Sequence, residues 1–258
     1  MIPILQPEDL HDPAFHEGLR SLNADLFVVI VYGKFLPSSI LEMPKIFCIN
    51  VHASLLPKYR GAAPINQAIL DGESRTGVTV IRMNERMDAG DMIVQESVNV
   101  ADDIDARALR EQLADLGAEC LSRAVTSLET GEYTLIPQDD TAASFTRKLT
   151  RETGCIDWKK SARDIHNLVR GLVPWPGAYT LFEDKRLKVL KTSVFSEEPS
   201  QAPAGSVLRL VPEGIVTACG HGSLLLKEVQ LESARAMDAR SFTVGHSVRT
   251  GMIFGGEK

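Results

Sequence analysis

The feature that most constrains the fold is an uninterrupted apolar run, LFVVIVY, at residues 26–32. Strands with one face in water alternate apolar and polar residues, whereas this run is apolar throughout and rich in β-branched side chains. It therefore predicts a strand covered on both faces. Three further segments have strand character, at residues 46–52, 76–83 and 91–100.

Helical patterns alternate with these strands. Phe15, Leu19 and Leu22 recur at helical spacing before the first strand, and a long apolar stripe follows the fourth strand, ending just before Gly131. The stripe consists of Leu109, Leu113, Leu116, Leu121, Val125 and Leu128. Alternation of this kind predicts an α/β domain with a doubly wound, mainly parallel sheet.

The pattern changes after residue 135. Residues 136–154 are polar and have no sustained apolar period, which indicates a linker. One amphipathic helix follows and is stopped by PWPG at residues 174–177. Short strands separated by turns, among them residues 178–182 and 223–231, then predict a small antiparallel barrel. We therefore predict a first domain over residues 1–135 and a second over residues 155–258.

The composition excludes several classes of protein. With 44% hydrophobic and 24% charged residues, the 258-residue chain can bury a core and is not disordered. It has neither an apolar run of membrane-spanning length nor a secretory start, so we expect a cytoplasmic protein without membrane association. The cysteines are too far apart for a zinc or redox motif and are expected to be buried free thiols: Cys48, Cys120, Cys155 and Cys219.

Charge is distributed unevenly along the chain. The net charge of −6 is the sum of −9 over residues 1–150 and +3 over residues 151–258. A polyanion would therefore dock more favourably on the second part.

The most informative segment is INVHASLLPKYRGAAPINQAI, at residues 49–69. Asn50 and His52 are two positions apart on a strand, so their side chains share a face at its carboxyl end, where open α/β sheets bind ligands. Taken singly, a structural histidine and a turn-forming asparagine are equally reasonable interpretations. Arg60 and Gly61 could likewise form an ordinary exposed turn.

A second motif, RMNERMDAGDMI at residues 82–93, places Asp88 in a loop between two strands. Alone, Asp-Ala-Gly-Asp is a common turn composition. Together, the two motifs bring a carboxylate, an imidazole and a carboxamide to one domain, a combination that suits acyl transfer to an amine.

Both motifs resemble the formyltransferase family that uses 10-formyltetrahydrofolate, and within it the enzymes that act on methionyl-tRNA. IDW at residues 156–158, VPWPGAYT at 173–180 and the segment 214–237 resemble that group's carboxyl-terminal domain, a barrel of the OB type. The resemblance covers nearly the whole chain. IDW and WPGA are also found in some sugar-nucleotide formyltransferases.

The resemblance implies that the chain transfers a formyl group from 10-formyltetrahydrofolate to the amino group of initiator methionyl-tRNA in translation initiation, without a metal. The family's Asn-x-His pair corresponds to Asn50 and His52, which would donate to the oxyanion of a tetrahedral intermediate. The family's loop aspartate corresponds to Asp88, which would hold His52 charged and help move the proton from the amine to N10.

The resemblance also implies binding sites for both substrates. The SLLP segment corresponds to the stretch that lines the folate site: Ser54, Leu55, Leu56 and Pro57. The carboxyl-terminal domain would bind tRNA. This chain has Ala234, Arg235 and Ala236 where the family usually has adjacent lysines, so a weaker tRNA contact is expected there.

Two alternatives stay open at this point: a sugar-nucleotide N-formyltransferase, and a non-catalytic fragment that only binds tRNA or folate. The chain opens at what resembles the family's third strand, without the initial βαβ unit. We therefore expect one side of the strand at residues 26–31 to be unpaired and its apolar side chains to be exposed. No sequence feature marks an interface, and a monomer is assumed.

Overall fold

The computed structural model describes residues 4–255 and contains two compact units. Unit 1 comprises residues 4–64, 75–98 and 112–147, and unit 2 comprises residues 65–74, 99–111 and 148–255. Each unit is thus formed by three separate segments of the chain, whereas the sequence analysis predicted two domains that follow one another along the chain.

The first 147 residues supply four helices and six strands among those described. In chain order these are α1 (Pro13–Ser21), β1 (Leu26–Ile30), α2 (Ser38–Leu41), β2 (Phe47–His52), β3 (Arg60–Gly61), α3 (Pro64–Leu70), β4 (Arg75–Arg82), β5 (Met92–Asn99), α4 (Ala106–Thr130) and β6 (Phe145–Thr146).

Unit 1 is built on a four-stranded sheet in the order β1-β2-β4-β5. β1 runs parallel to β2, whereas β2 pairs with β4 in antiparallel register, with His52 opposite Thr79. The prediction of an α/β domain is confirmed, but the sheet is mixed rather than mainly parallel. The stretch from β3 through α3 does not carry the chain back to the edge where β2 begins, so β4 runs in the opposite direction to β2.

For β1, the covering on both faces that the apolar run alone predicted is wrong, whereas the unpaired side and exposed side chains expected from the family resemblance are confirmed. This strand lies at the edge of the sheet, and the side chains of Val28 and Ile30 are 42% and 55% exposed. Among residues 4–255, no strand pairs with the other side of β1. The apolar run therefore forms a strand as predicted, but it is not covered on both faces.

Helix α4 packs on the sheet through a narrow stripe of small and branched residues. At Gly117 an added Cβ would lie 3.4 Å from Cγ1 of Val51 in β2, so the helix approaches the sheet closely. In the part of α4 that belongs to unit 1, the buried hydrophobic residues are Leu113, Cys120, Ala124 and Leu128. The predicted members Leu116, Leu121 and Val125 are only half-buried.

Residues 136–147, which the sequence indicated as part of a linker, are ordered by contacts within unit 1. Ile136 pairs with Met92 through two backbone hydrogen bonds of 2.9 and 2.8 Å. Further on, β6 pairs in parallel with β3, with Phe145 opposite Arg60. This segment therefore contributes side chains to the surroundings of β3.

The remaining residues supply two helices and six strands among those described. In chain order these are α5 (Ala162–Gly171), β7 (Ala178–Phe182), β8 (Lys185–Ser196), β9 (Val207–Val211), β10 (Gly214–Ala218), β11 (Ser223–Leu231), β12 (Met237–Asp238) and α6 (Ala239–Gly245).

The sheet of unit 2 is antiparallel, as predicted, in the order β7-β8-β11-β10-β9, with β12 also paired to β11. Within the described part of the chain, no pairing joins β7 to β9. The sheet is thus open rather than a closed barrel. No sequence pattern predicted α6, which begins at Ala239; the side chain of the preceding Asp238 accepts a hydrogen bond from the Ser241 amide.

The core of unit 2 combines aliphatic side chains with a cluster of aromatic rings. The rings of Trp158 and Phe254 stack with centroids 6.0 Å apart, and Phe182 meets Phe242 edge-on at 5.3 Å. Trp158 Nε1 donates to Thr180 Oγ1 at 3.0 Å, which satisfies the indole within the core. The tryptophan of the IDW motif is therefore a core residue of this unit.

Arg170 of α5 is buried and fully engaged with polar groups of unit 2. Its Nη1 donates to the carbonyl oxygens of Ala101 and Ile104, each at 3.2 Å, and its Nε donates to Asn167 Oδ1 at 3.0 Å. Burial lowers the pKa of the guanidinium from its usual value.

His166, on the preceding turn of α5, is buried in the same way. Its Nδ1 lies 2.8 Å from Thr192 Oγ1 and its Nε2 lies 3.2 Å from the carbonyl oxygen of Asp102. Burial, the largest cause, lowers the pKa of the imidazole.

The four cysteines are free thiols. Burial was predicted correctly for Cys48, Cys120 and Cys219 but wrongly for Cys155, which is exposed. Burial raises the pKa of Cys48 to about 11 and that of Cys219 to about 12. No helix within residues 4–255 has both the length and the apolarity needed to cross a membrane.

Candidate active site

The structure brings Asn50, His52 and Asp88 together. Asn50 and His52 lie on one face of β2, as their spacing predicts, and Asp88 lies in the loop after β4. Asn50 Nδ2 is 3.4 Å from Asp88 Oδ1, and His52 Nδ1 is 3.7 Å from Asp88 Oδ2. The Asp88 side chain is 18% exposed, so the cluster is shielded but accessible.

The orientation of His52 is set by the backbone of Tyr59. His52 is 6% exposed, and its Nε2 lies 2.9 Å from the Tyr59 carbonyl oxygen. Because a carbonyl oxygen can only accept, Nε2 carries a hydrogen, and Nδ1 faces Asp88. Both ring nitrogens therefore lie close to groups of the protein.

The Asp88 carboxylate is anchored by β3. Its Oδ2 accepts a hydrogen bond of 2.8 Å from the amide of Gly61. Gly61 has φ of +100°, and an added Cβ would lie 2.7 Å from the carbonyl oxygen of Thr146 in β6. Only glycine meets both conditions without displacing the backbone. The Arg-Gly pair that follows SLLP is therefore part of the site rather than an exposed turn.

The main chain on either side of Asp88 is held by Gln138, a residue to which the sequence did not point. Gln138 Nε2 donates to the carbonyl oxygens of Asp88 and Gly90, each at 2.8 Å. Asp88 itself has φ of +49°. At Gly90 an added Cβ would collide with the carbonyl oxygen of Arg82, so glycine is required there too.

Arg60 lies behind Gln138 and is 1% exposed. Its Nε and Nη2 donate to Gln138 Oε1 at 3.0 and 2.8 Å, and Nη2 also donates to Asp140 Oδ1 at 2.8 Å. Arg86 donates to the other oxygen of Asp140 at 2.6 Å. Hydrogen bonds from Arg86 and Arg60 lower the pKa of the Asp140 carboxyl, so it stays ionised and compensates the buried guanidinium.

The SLLP segment forms a tight loop after β2. Ser54 is fully buried and donates to the Lys58 carbonyl oxygen at 2.6 Å, and the buried Leu56 donates its amide to Thr79 Oγ1 at 3.2 Å. Leu55 and Pro57 are half-buried. The apolar surface that this loop offers to a ligand therefore belongs to Leu55 and Pro57.

This arrangement can support acyl transfer. It offers an amide donor, a carboxylate and an imidazole within a few ångströms, on a rigid strand and an anchored loop. Within residues 4–255, no group of three or more His, Cys, Asp and Glu side chains has the arrangement of a metal site.

The chain matches two family models. Formyl transferase covers residues 3–125, and Formyl transferase, C-terminal domain, covers residues 148–247. These two matches include the Asn50, His52 and Asp88 cluster in the first and most of unit 2 in the second.

Known proteins agree with these matches. The methionyl-tRNA formyltransferase of Acetivibrio thermocellus is 44% identical over 254 residues, which are 98% of this chain and 82% of that protein. HypX of Aquifex aeolicus, solved in complex with tetrahydrofolic acid, superimposes with a TM-score of 0.67 at 17% identity, over 94% of this chain and 44% of that one. The sugar 3N-formyl transferase WlaRD gives 0.66 at 19% identity, over 84% and 77%. These structures support the fold, and the chain belongs to the methionyl-tRNA formyltransferase branch of the formyl transferase family.

Proposed function

We propose that this chain transfers the formyl group of 10-formyltetrahydrofolate to the amino group of methionyl-tRNA. The observation that carries the proposal is the contact of Asn50 and His52 with Asp88 in a member of this family. The reaction forms a bond between the methionyl nitrogen and the formyl carbon and breaks the bond from that carbon to N10.

Asn50 is the proposed oxyanion donor. Attack on the formyl carbon places a negative charge on the formyl oxygen, which a preorganised donor stabilises by about 10²-fold or more. The carboxamide has two N–H donors, and one of them is directed at Asp88 Oδ1. The other is available to the developing oxyanion.

Asp88 and His52 are the proposed proton carriers. The attacking amine must lose a proton, and N10 must gain one as it departs. Asp88 accepts the proton from the amine and returns it to N10 as the bond from N10 to the formyl carbon breaks; His52 Nδ1, 3.7 Å from Asp88 Oδ2, can relay this proton only when the two groups move closer in the substrate complex. The hydrogen bond from Nε2 to the Tyr59 carbonyl keeps the ring in the orientation that this step needs.

We assign the folate site to the SLLP loop. Leu55 and Pro57 supply the apolar surface for the flat ring of the folate, while the buried Ser54 and Leu56 hold the loop in shape. This assignment of two ligand-facing and two structural residues is supported by the burial of each side chain and by the hydrogen bonds of Ser54 and Leu56.

We infer that residues 1–135 carry out formyl transfer, that residues 155–258 bind initiator tRNA, and that residues 136–154 connect them. The net charge of +3 after residue 150, against −9 before it, supports this assignment of tRNA binding. Because the acceptor substrate is an aminoacylated tRNA, the proposed reaction takes place in the cytoplasm, where translation occurs.

The test is a competition between acceptors. Purified protein and 10-formyltetrahydrofolate are incubated with methionyl-tRNA or with an amino-sugar nucleotide, and formylated product is measured. We expect formylmethionyl-tRNA alone. Turnover of the amino sugar only would overturn the proposal in favour of a sugar N-formyltransferase, and binding of methionyl-tRNA without turnover would favour a non-catalytic chain.

A further inference from the structure

Gln138 is placed to control the position of the catalytic loop without touching the reacting groups. It is half-buried between α4 and β6, 50 residues from Asp88 in the chain. Both contacts of its Nε2 are with backbone carbonyl oxygens on either side of Ala89, those of Asp88 and Gly90, at 2.8 Å. A primary amide has two N–H donors, so these two bonds use both.

The orientation of the Gln138 amide is fixed by Arg60. Gln138 Oε1 accepts from two nitrogens of this buried guanidinium, at 3.0 and 2.8 Å. Turning the amide over would place its NH₂ against the cationic guanidinium and its oxygen against two carbonyl oxygens, which is unfavourable at every contact. The cation therefore imposes one orientation, and that orientation holds the loop.

The main chain of Asp88 lies in the left-handed region, with φ of +49°. Few residues other than glycine adopt this conformation, although aspartate does so more readily than most, and contacts with the main chain stabilise it. Arg60 acts on Asp88 from two sides, since its side chain holds Gln138 and the next residue, Gly61, donates its amide to the Asp88 carboxylate. The positions of the main chain and of the side chain of Asp88 thus both depend on the buried Arg60 and its neighbour Gly61.

We propose that Gln138, oriented by Arg60, is a positioning residue that sets the location of the Asp88 carboxylate relative to Asn50 and His52. This inference rests on the proposed formyl transfer. The catalytic geometry of unit 1 then depends on residues 136–147 as well as on the two sequence motifs.

The test is Gln138→Glu in the full-length chain. Glutamate keeps an oxygen for Arg60, which favours folding, but turns its second oxygen towards the carbonyl oxygens of Asp88 and Gly90. We expect kcat for formyl transfer to fall by about 30- to 100-fold, the cost of roughly 1 Å of misplacement, with KM for methionyl-tRNA within about twofold. The matched control is Gln112→Glu at an exposed position of α4 in unit 1, which makes the same change of charge and should leave kcat unchanged.

A double-mutant cycle distinguishes positioning from a separate structural role. In an Asp88→Asn background, adding Gln138→Glu should cost less than about threefold, because the group it positions is already lost. Independent losses that multiply would overturn the proposal, as would wild-type kcat in Gln138→Glu. If Gln138→Glu does not fold, the uncharged Gln138→Met takes its place with the same criteria. Absence of transfer by the wild type and by Gln112→Glu would instead contradict the proposed function.

Discussion

Each unit of the molecule buries an arginine, and the two arginines serve different ends. Arg170 in unit 2 donates hydrogen bonds to the carbonyl oxygens of Ala101 and Ile104 and to Asn167 Oδ1. These bonds do not lead to the candidate active site. Arg60 in unit 1 donates to Gln138, which in turn holds the main chain of Asp88. Burial of a guanidinium demands partners in both cases, so the existence of such a network does not indicate function. The network of Arg60 bears on function because it ends at the main chain of Asp88.

The side chains that surround the two arginine networks also differ between the units. Unit 2 has a contiguous apolar core, and its buried Arg170 donates to backbone carbonyl groups. In unit 1, buried polar residues surround a carboxylate that is open to ligands. Substitutions around Asp88 should therefore change catalysis more than stability, and substitutions in unit 2 should do the reverse.

The largest effect is expected for Asp88→Asn. This change keeps the shape of the side chain and removes its ability to take up a proton, so kcat should fall by about 10³-fold, within the range for general acid–base groups. The melting temperature should change little. Rates are measured with methionyl-tRNA and 10-formyltetrahydrofolate, and a loss below about tenfold would show that Asp88 does not carry the proton.

The converse change is Phe242→Ala in unit 2. Phe242 is fully buried and contacts the rings of Phe182 and His246, so its truncation should destabilise unit 2 by about 3–5 kcal/mol. Thermal unfolding followed by calorimetry measures the loss. At a temperature where the variant is folded, kcat should equal that of the wild type. A fall in kcat similar to that of Asp88→Asn would show that substitutions in unit 2 also change catalysis, contrary to the proposed difference between the units.

Gly61→Ala should have an intermediate effect. The new Cβ would meet the Thr146 carbonyl oxygen at 2.7 Å, in a backbone conformation that alanine rarely adopts. We expect kcat to fall about tenfold, because the amide that anchors Asp88 shifts. Gly245→Ala, which has open space around the new Cβ, is the control and should have no effect on kcat. Equal rates for the two variants would mean that the anchor is dispensable.

Binding of tRNA should depend on the surface of unit 2. Lys188 and Lys191 are exposed on β8, and replacing both by glutamate should weaken binding several-fold and reduce the slope of log K against log salt by about 1–2. Filter binding at several salt concentrations measures both quantities. Arg20→Glu with Lys45→Glu in unit 1 is the control of equal charge, and an equal effect from this pair would indicate general electrostatics rather than a tRNA surface.

The smallest effect concerns His166. Its pKa is lowered in the folded state, so its contribution to stability is present above the unfolded value of 6.5 and is lost as pH falls through the folded value. Unfolding free energy should therefore decrease between about pH 7.5 and about pH 5.5, and His166→Gln should reduce this dependence. Denaturant unfolding at the two pH values provides the measurement. An unchanged pH dependence in the variant would show that other groups dominate.

Local sequence patterns predicted many of the elements. The strands at residues 178–182 and 223–231 have the bounds that the sequence indicated, because each is a run of apolar residues between turn-forming residues. The convergence of Asn50 and His52 followed from a spacing of two on a strand, and the loop position of Asp88 followed from its turn composition. In each case the relevant physics acts over a few neighbouring residues.

Other features depend on partners that are distant in the chain. The apolar run of β1 specified a strand, but its edge position is a property of the whole sheet, as is the antiparallel pairing of β2 with β4. Gln138 carries no local signal, since its amide meets Asp88 from 50 residues away and Arg60 from 78. The amino-acid sequence by itself predicted which residues could perform the chemistry, through their spacing and residue type and through the resemblance to a known family. Only the tertiary structure decided what holds them in place, because hydrogen bonds between distant segments leave no periodic trace in the chain.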